Sequence, residues 1–120
     1  MSGCVKKKTL IEGPYVAAQT VLSDWMDVDE FTELIGWFNV TAFASRADET
    51  AIVTIEREAD NTNGYTTIIT FTTKDSTGAV SEEKSATSLI GGRIRARLVL
   101  AGTWSTKSIT LSVKVQAKSA

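Results

Sequence analysis

Between Gly91 and Val115 the sequence reads GGRIRARLVLAGTWSTKSITLSVKV and changes character at every second residue. Ile94, Ala96, Leu98 and Leu100 alternate with Arg93, Arg95, Arg97 and Val99. Ile109, Leu111, Val113 and Val115 alternate with Thr110, Ser112, Lys114 and Gln116. A period of two sorts side chains onto the two faces of an extended strand, whereas a helix would scatter both sets around its axis. The two runs are read as adjacent core-lining faces joined through a Gly-Thr loop. Each needs a second apolar layer to cover it, and no other feature constrains the fold as strongly.

The rest of the chain repeats the pattern. ELIGWFNVTAFAS sets Leu34, Gly36, Phe38, Val40 and Ala42 on one face, TAIVTIERE does the same with Ala51, Val53 and Ile55, and YTTIITFTT with Ile69 and Phe71. Their β-branched and aromatic residues suit a pleated surface. TVLSDWMDV and AVSEEKS are weaker runs, and the segments SRADE, ADNTNG, KDSTG, LIGG and AGTWST punctuate the series as turns. No gap is long enough for repeated crossover helices. The expected fold is all-β: a single antiparallel β-sandwich, jelly-roll-like, of seven or eight strands over residues 20–120. Residues 1–19 hold Lys6, Lys7, Lys8 and the only proline, Pro14, without a sustained period, and read as an extended N-terminal arm.

A chain of 120 residues with 42% hydrophobic and 22% charged content has the size and composition of one globular domain. No apolar run approaches the roughly 18–20 residues that cross a bilayer as a helix. Glu12, Gly13 and Pro14 interrupt any apolar core after the lysines, so no secretory signal and no membrane partner are expected. The lone Cys4 cannot form an internal disulfide. With no histidine in the chain, Ser-His-Asp and Cys-His catalysis and His-ligated zinc are excluded. Phosphate-binding and dinucleotide-binding loops are missing. Asp27, Asp29 and Glu30 cluster without the glycine loop of an EF-hand and read as a solvated strand end. The NVT triplet at Asn39 to Thr41 falls inside an expected strand and is read as a chance match to the glycosylation pattern. No catalytic, cofactor or metal residue is assigned, and the chain is expected not to be an enzyme.

Function must then come from surfaces. Five acids and no base lie between Asp24 and Glu33, and seven bases and no acid run from Lys84 to the end. Acidic and basic strands paired in one sheet, a charged partner surface or another copy of the same chain account for such asymmetry. With Leu34, Phe38 and Val40 inward, strict alternation turns Ile35, Trp37 and Phe43 outward, either into an interface or beneath the arm or a loop of the same subunit. Arg93, Arg95 and Arg97 share one strand face and pair with Glu56, Glu58 or the acids at 24–33, or reach a neighbouring subunit. A net charge of −1 without an evident stacking platform argues against nucleic acid. Trp104, with Tyr65 or Trp25, either forms a glycan platform or folds back to cap the sandwich.

The order of these strands, above all GGRIRARLVLAGTWSTKSITLSVKV after IGWFNVTAFA, AIVTIEREADNTNGY and ITFTT, resembles small β-sandwich proteins of tailed bacteriophages and prophages. Those proteins follow a G-R-x-x-R type strand with a Gly-Thr loop and a closing strand. Their Asp-Gly-x-x-Trp segment is replaced here by DNTNGYTT, with Tyr65 in place of tryptophan. The resemblance spans residues 20–117. It implies a virion structural part assembled in the bacterial cytoplasm: a capsid-decorating cement protein, or alternatively a tail or baseplate component or a carbohydrate-binding module for host recognition. It also implies homo-oligomerisation and contact with capsid or tail subunits. Ile35, Trp37 and Phe43 would be anchors, Arg93, Arg95 and Arg97 their polar partners, and Lys6, Lys7 and Lys8 an arm contacting an acidic neighbour.

Overall fold

The computed structural model describes residues 5–29, 31–44, 48–58, 65–75, 78–87, 92–104 and 108–119. Cys4, Glu30, Gly91 and the ADNTNG turn lie outside the described residues. Strands are β1 (Val5–Tyr15), β2 (Gln19–Leu22), β3 (Met26–Asp27), β4 (Glu33–Ala44), β5 (Thr50–Glu58), β6 (Tyr65–Thr70), β7 (Val80–Ala86), β8 (Arg93–Ala101) and β9 (Ser108–Lys118). All pairing between them is antiparallel.

The first sheet runs β1-β9-β4-β7, and the second runs β2-β8-β5-β6 with β3 also on β8. β2 and β3 are two pieces of one edge, facing Leu100 to Arg97 and then Ile94 to Arg93 of β8. The ladder breaks at Ser23, whose Oγ accepts from Ala96 N at 2.9 Å where a backbone carbonyl would otherwise stand. Counting β2 and β3 as one position leaves eight positions in two four-stranded sheets, the jelly-roll arrangement. The alternating runs β8 and β9 are not sheet neighbours. Each fills the second place of its own sheet, so their apolar rows line opposite walls of one core.

That core takes Ile94, Ala96, Leu98 and Leu100 from β8 and Ile109, Leu111, Val113, Val115 and Ala117 from β9. Leu34, Phe38 and Val40 of β4 and Ala51, Val53 and Ile55 of β5 join them, with Ile69 and Phe71. Each larger aliphatic or aromatic side chain so buried contributes about 1.5–3 kcal/mol relative to exposure. Gly36 stands on the inward row because a Cβ there would come within 3.0 Å of Phe71 Cζ. Phe71 instead packs edge-on against Phe38, with ring centroids 5.8 Å apart.

Beyond β6 the chain continues along β5 to Lys74, whose backbone exchanges both hydrogen bonds with Ala51. The buried Lys74 ammonium pairs with Glu82 of β7, which lies in the other sheet, and sits 5.2 Å from the centre of the Phe38 ring. Glu82 also accepts from Thr72 N and Thr72 Oγ1, both at 2.9 Å. A polar clasp thus closes the sandwich between β6 and β7.

Two expectations are corrected. The arm is a strand: β1 pairs along its length with β9, from Val5 opposite Lys118 to Tyr15 opposite Ile109, and Ile11 enters the core. A register shift between Thr9 and Ile11 changes the parity of the strand and conceals its period. Lysines at 6–8 and a proline at 14 are residues that an edge strand accommodates, since both discourage pairing with foreign chains. Phe43, expected outward, is 1% exposed. The cause is a second shift, between Val40 and Ala42 in the β4–β9 ladder, which leaves Thr41 and Ala42 exposed and returns Phe43 to the core.

Candidate interaction surface

The sandwich offers two outer sheet faces and one capped end. On the outer face of the second sheet, Arg93 lies opposite Glu58, Arg95 opposite Glu56 and Arg97 opposite Thr54. Arg93 Nη2 is 2.8 Å from Glu58 Oε1, and Arg95 Nε donates to Glu56 Oε1 at 3.2 Å. The Arg95 guanidinium lies 4.5 Å from the ring centres of both Trp25 and Tyr65, and Arg93 lies 4.6 Å from Trp25. Trp25 and Tyr65 stack on each other at 5.7 Å. Arg93 and Arg95 are therefore paired across the sheet, Arg95 largely covered by the two rings and Arg93 exposed beside Trp25, and cation–π contacts add from about 0.5–1 kcal/mol where exposed to about 2 where desolvated. Arg97 is exposed between Thr54 and Leu22, with no ion-pair partner among the described residues. The arginine row is thus not one site.

At one end, the Trp104 ring is 6% exposed and stacks on Phe43 at 5.7 Å with 6° between planes. Its Nε1 donates to Ala101 O at 3.0 Å. Gly102 makes this return possible: its φ is +105°, and a Cβ there would lie 2.9 Å from Asp48 O. Asp48 Oδ1 accepts from Thr103 N at 3.2 Å. Hydrogen bonding to Glu49 and then to Thr103 holds the Asp48 carboxyl below the usual carboxylate range. Trp104 is a cap, which removes it as a glycan platform. Tyr65 remains 48% exposed beside Trp25. Asp27 Oδ1 accepts from Asp29 N at 2.9 Å and Asp29 Oδ1 from Gly92 N at 2.7 Å, so both carboxylates fasten turns. No group of three metal-ligating side chains occurs among the described residues.

The first sheet has a different outer face. Its register aligns Thr9, Lys114, Trp37 and Glu83 in one row across four strands, with Lys7, Gln116, Ile35 and Ser85 in the next. Trp37 and Ile35 are half-buried. The indole is fixed by Nε1 donating to Glu83 Oε1 at 2.7 Å. Lys7, Lys8, Thr9, Trp37, Lys114, Val115 and Gln116 bound an open depression of about 390 Å³. Lys8 stands opposite the buried Val115, on the inward parity, and reaches solvent at the open edge. Lys6 donates from Nζ to Asp27 O at 3.2 Å, a link from β1 to the other sheet. Of the residues read as interface anchors, Ile35 and Trp37 are brought together with Lys7 and Lys8, and Phe43 is removed from them. Lys114, Gln116 and Thr9 were not singled out in the sequence. The outward row of β9 was readable there, but its place between β1 and β4 was not.

Neither a protein-family model nor a curated protein matches this sequence. Among solved structures, the chain is similar to one in the structure of the Gx strain of infectious bursal disease virus. The TM-score is 0.62 at 16% identity, covering 98% of this chain and 32% of that one. The VP2 subviral particle of the same virus gives a TM-score of 0.62 at 17% identity, covering 98% and 33%. A chain from Bacillus endospore appendages, disulfide-linked pili, gives a TM-score of 0.47 at 10% identity, covering 99% and 90%. The chain spans about a third of the length of the viral chains it matches, and what it shares with them is the all-β sandwich fold.

Proposed function

We propose that this chain is a non-enzymatic structural component of a virus particle, a decoration or cement protein that stabilises a phage head by bridging capsid subunits. The observation that carries the reading is the jelly-roll sandwich itself, similar over nearly its whole length to part of chains that build a viral particle. The outer face of the β1-β9-β4-β7 sheet supports it. There Trp37 and Ile35 lie among lysines with no ion-pair partner among the described residues, a composition that suits burial against a partner. Many copies each adding a modest contact to subunits that already touch give high avidity.

Mass spectrometry of gradient-purified particles from the cells that encode the chain tests this. The chain is expected at a fixed stoichiometry to the major shell protein, and its absence from the particles would overturn the assignment. A second reading, a carbohydrate-binding part of a tail or baseplate, draws on the exposed Tyr65 stacked on Trp25. Glycan-array binding that disappears in Tyr65→Ala favours that reading, and a flat array rejects it.

A further inference from the structure

We propose that the depression around Trp37 is a docking groove for a short, extended, acidic segment of a neighbouring polypeptide. The inference rests on the reading of the chain as an assembly component and names the partner chemistry at that same face. Lys7 lies opposite Gln116, so Lys114, two residues away on β9, is its diagonal neighbour. Diagonal neighbours on one face stand about 7–8 Å apart. Alternate side chains of an extended peptide repeat every 6.6–6.8 Å, roughly the same interval. Carboxylates at positions i and i+2 of such a segment therefore match the two ammonium groups.

Neither lysine has a carboxylate partner among the described residues, and nor does Lys8 at the rim. Glu83, which ends the Thr9-Lys114-Trp37 row on β7, is occupied by the Trp37 indole N–H. That bond also holds the ring as a fixed apolar wall of the groove, so docking orders little that is not already ordered. Thr9 and Gln116 add side chains able to hydrogen-bond a peptide backbone.

The surroundings select for a short occupant. Glu12 opposite Ser112, Glu33 opposite Lys118 and Glu83 opposite Trp37 stand on the same outer face. A polynucleotide continuing past the lysines meets these carboxylates, whereas a segment with two or three acids ends before them. A free anion would use the lysines and leave the indole untouched.

The test follows the Trp37 indole N–H resonance of the isotopically labelled full chain, assigned by its loss in Trp37→Phe. The probes are a capped five-residue peptide alternating glutamate and threonine, its glutamine counterpart, inorganic phosphate and a ten-nucleotide oligothymidylate. A saturable shift with the acidic peptide alone is expected, weakening about tenfold in Lys7→Gln/Lys114→Gln and with added salt. The rest of the double variant's spectrum serves as the check on folding. No saturable shift with the acidic peptide, an undiminished shift in the double variant, or equal response to phosphate or oligothymidylate overturns the proposal. Particle composition reads where the chain resides and this titration reads the groove, so either reading can fail alone.

Discussion

Phe43 and Trp37 lie six positions apart on one strand and do opposite work. Phe43 is enclosed with Trp104, so Phe43→Ala removes a stacked, buried ring and is expected to cost about 3–5 kcal/mol in denaturant unfolding. Trp37→Ala removes a half-buried ring and one hydrogen bond and is expected to cost about 1 kcal/mol. Similar losses for both would show that Trp37 is core rather than surface. The alternation in the sequence placed Ile35 and Trp37 on the outward row but gave the wrong face for Phe43. A one-residue bulge flips every side chain after it, and nothing about Thr41 in the sequence marks that bulge. The arginine pairing was legible because Glu56 and Glu58 share the period of Arg93 and Arg95, and antiparallel register brings equal periods together. The Trp25–Tyr65 stack around Arg95 was less so, because it depends on the break at Ser23.

Among the elements, β1 departs furthest from its sequence. Its lysines and the shift after Thr9 mask a strand that covers one side of β9 and supplies Ile11 to the core. Removing residues 1–15 is therefore expected to abolish the cooperative thermal transition seen by circular dichroism. An arm would be dispensable, and an unchanged midpoint would restore that reading.

The clasp between β6 and β7 makes a second claim. Burial opposes ionisation of Glu82, but hydrogen bonds from Lys74 and Thr72 outweigh it and hold the carboxyl below its ordinary value of 4.5. A carboxyl depressed in the folded state stabilises the fold above its unfolded pKa, and that stability is lost as pH falls through the folded pKa. Glu82→Gln is expected to cost about 2 kcal/mol at pH 7, because it removes the carboxylate partner of the buried Lys74 side chain. The gap between variant and wild type should narrow as pH falls below 4.5. A gap that stays constant from pH 7 to pH 3 would mean that Glu82 acts through shape rather than charge.

At the scale of the whole molecule, the sandwich class followed from period two and the absence of helical patterns, and the positions of the strands after β1 followed from the turns. The sheet order did not. It joins β1 to β9 and β4 to β9 across most of the chain's length, and no local residue pattern encodes such distant pairing. The surface with Lys7, Lys114 and Trp37 exists only because of that order, which is why the lysines read as an arm and the indole as a separate feature.

This sheet face, and not the arginine face of the second sheet, is expected to meet the partner. An electron cryomicroscopy map of particles carrying the chain tests it most directly. Partner density packed over Trp37, Ile35 and the lysines of β1 and β9, with the arginine face open to solvent, is the expected result. Density seated on the β8 arginines, with Trp37 facing solvent, would contradict it.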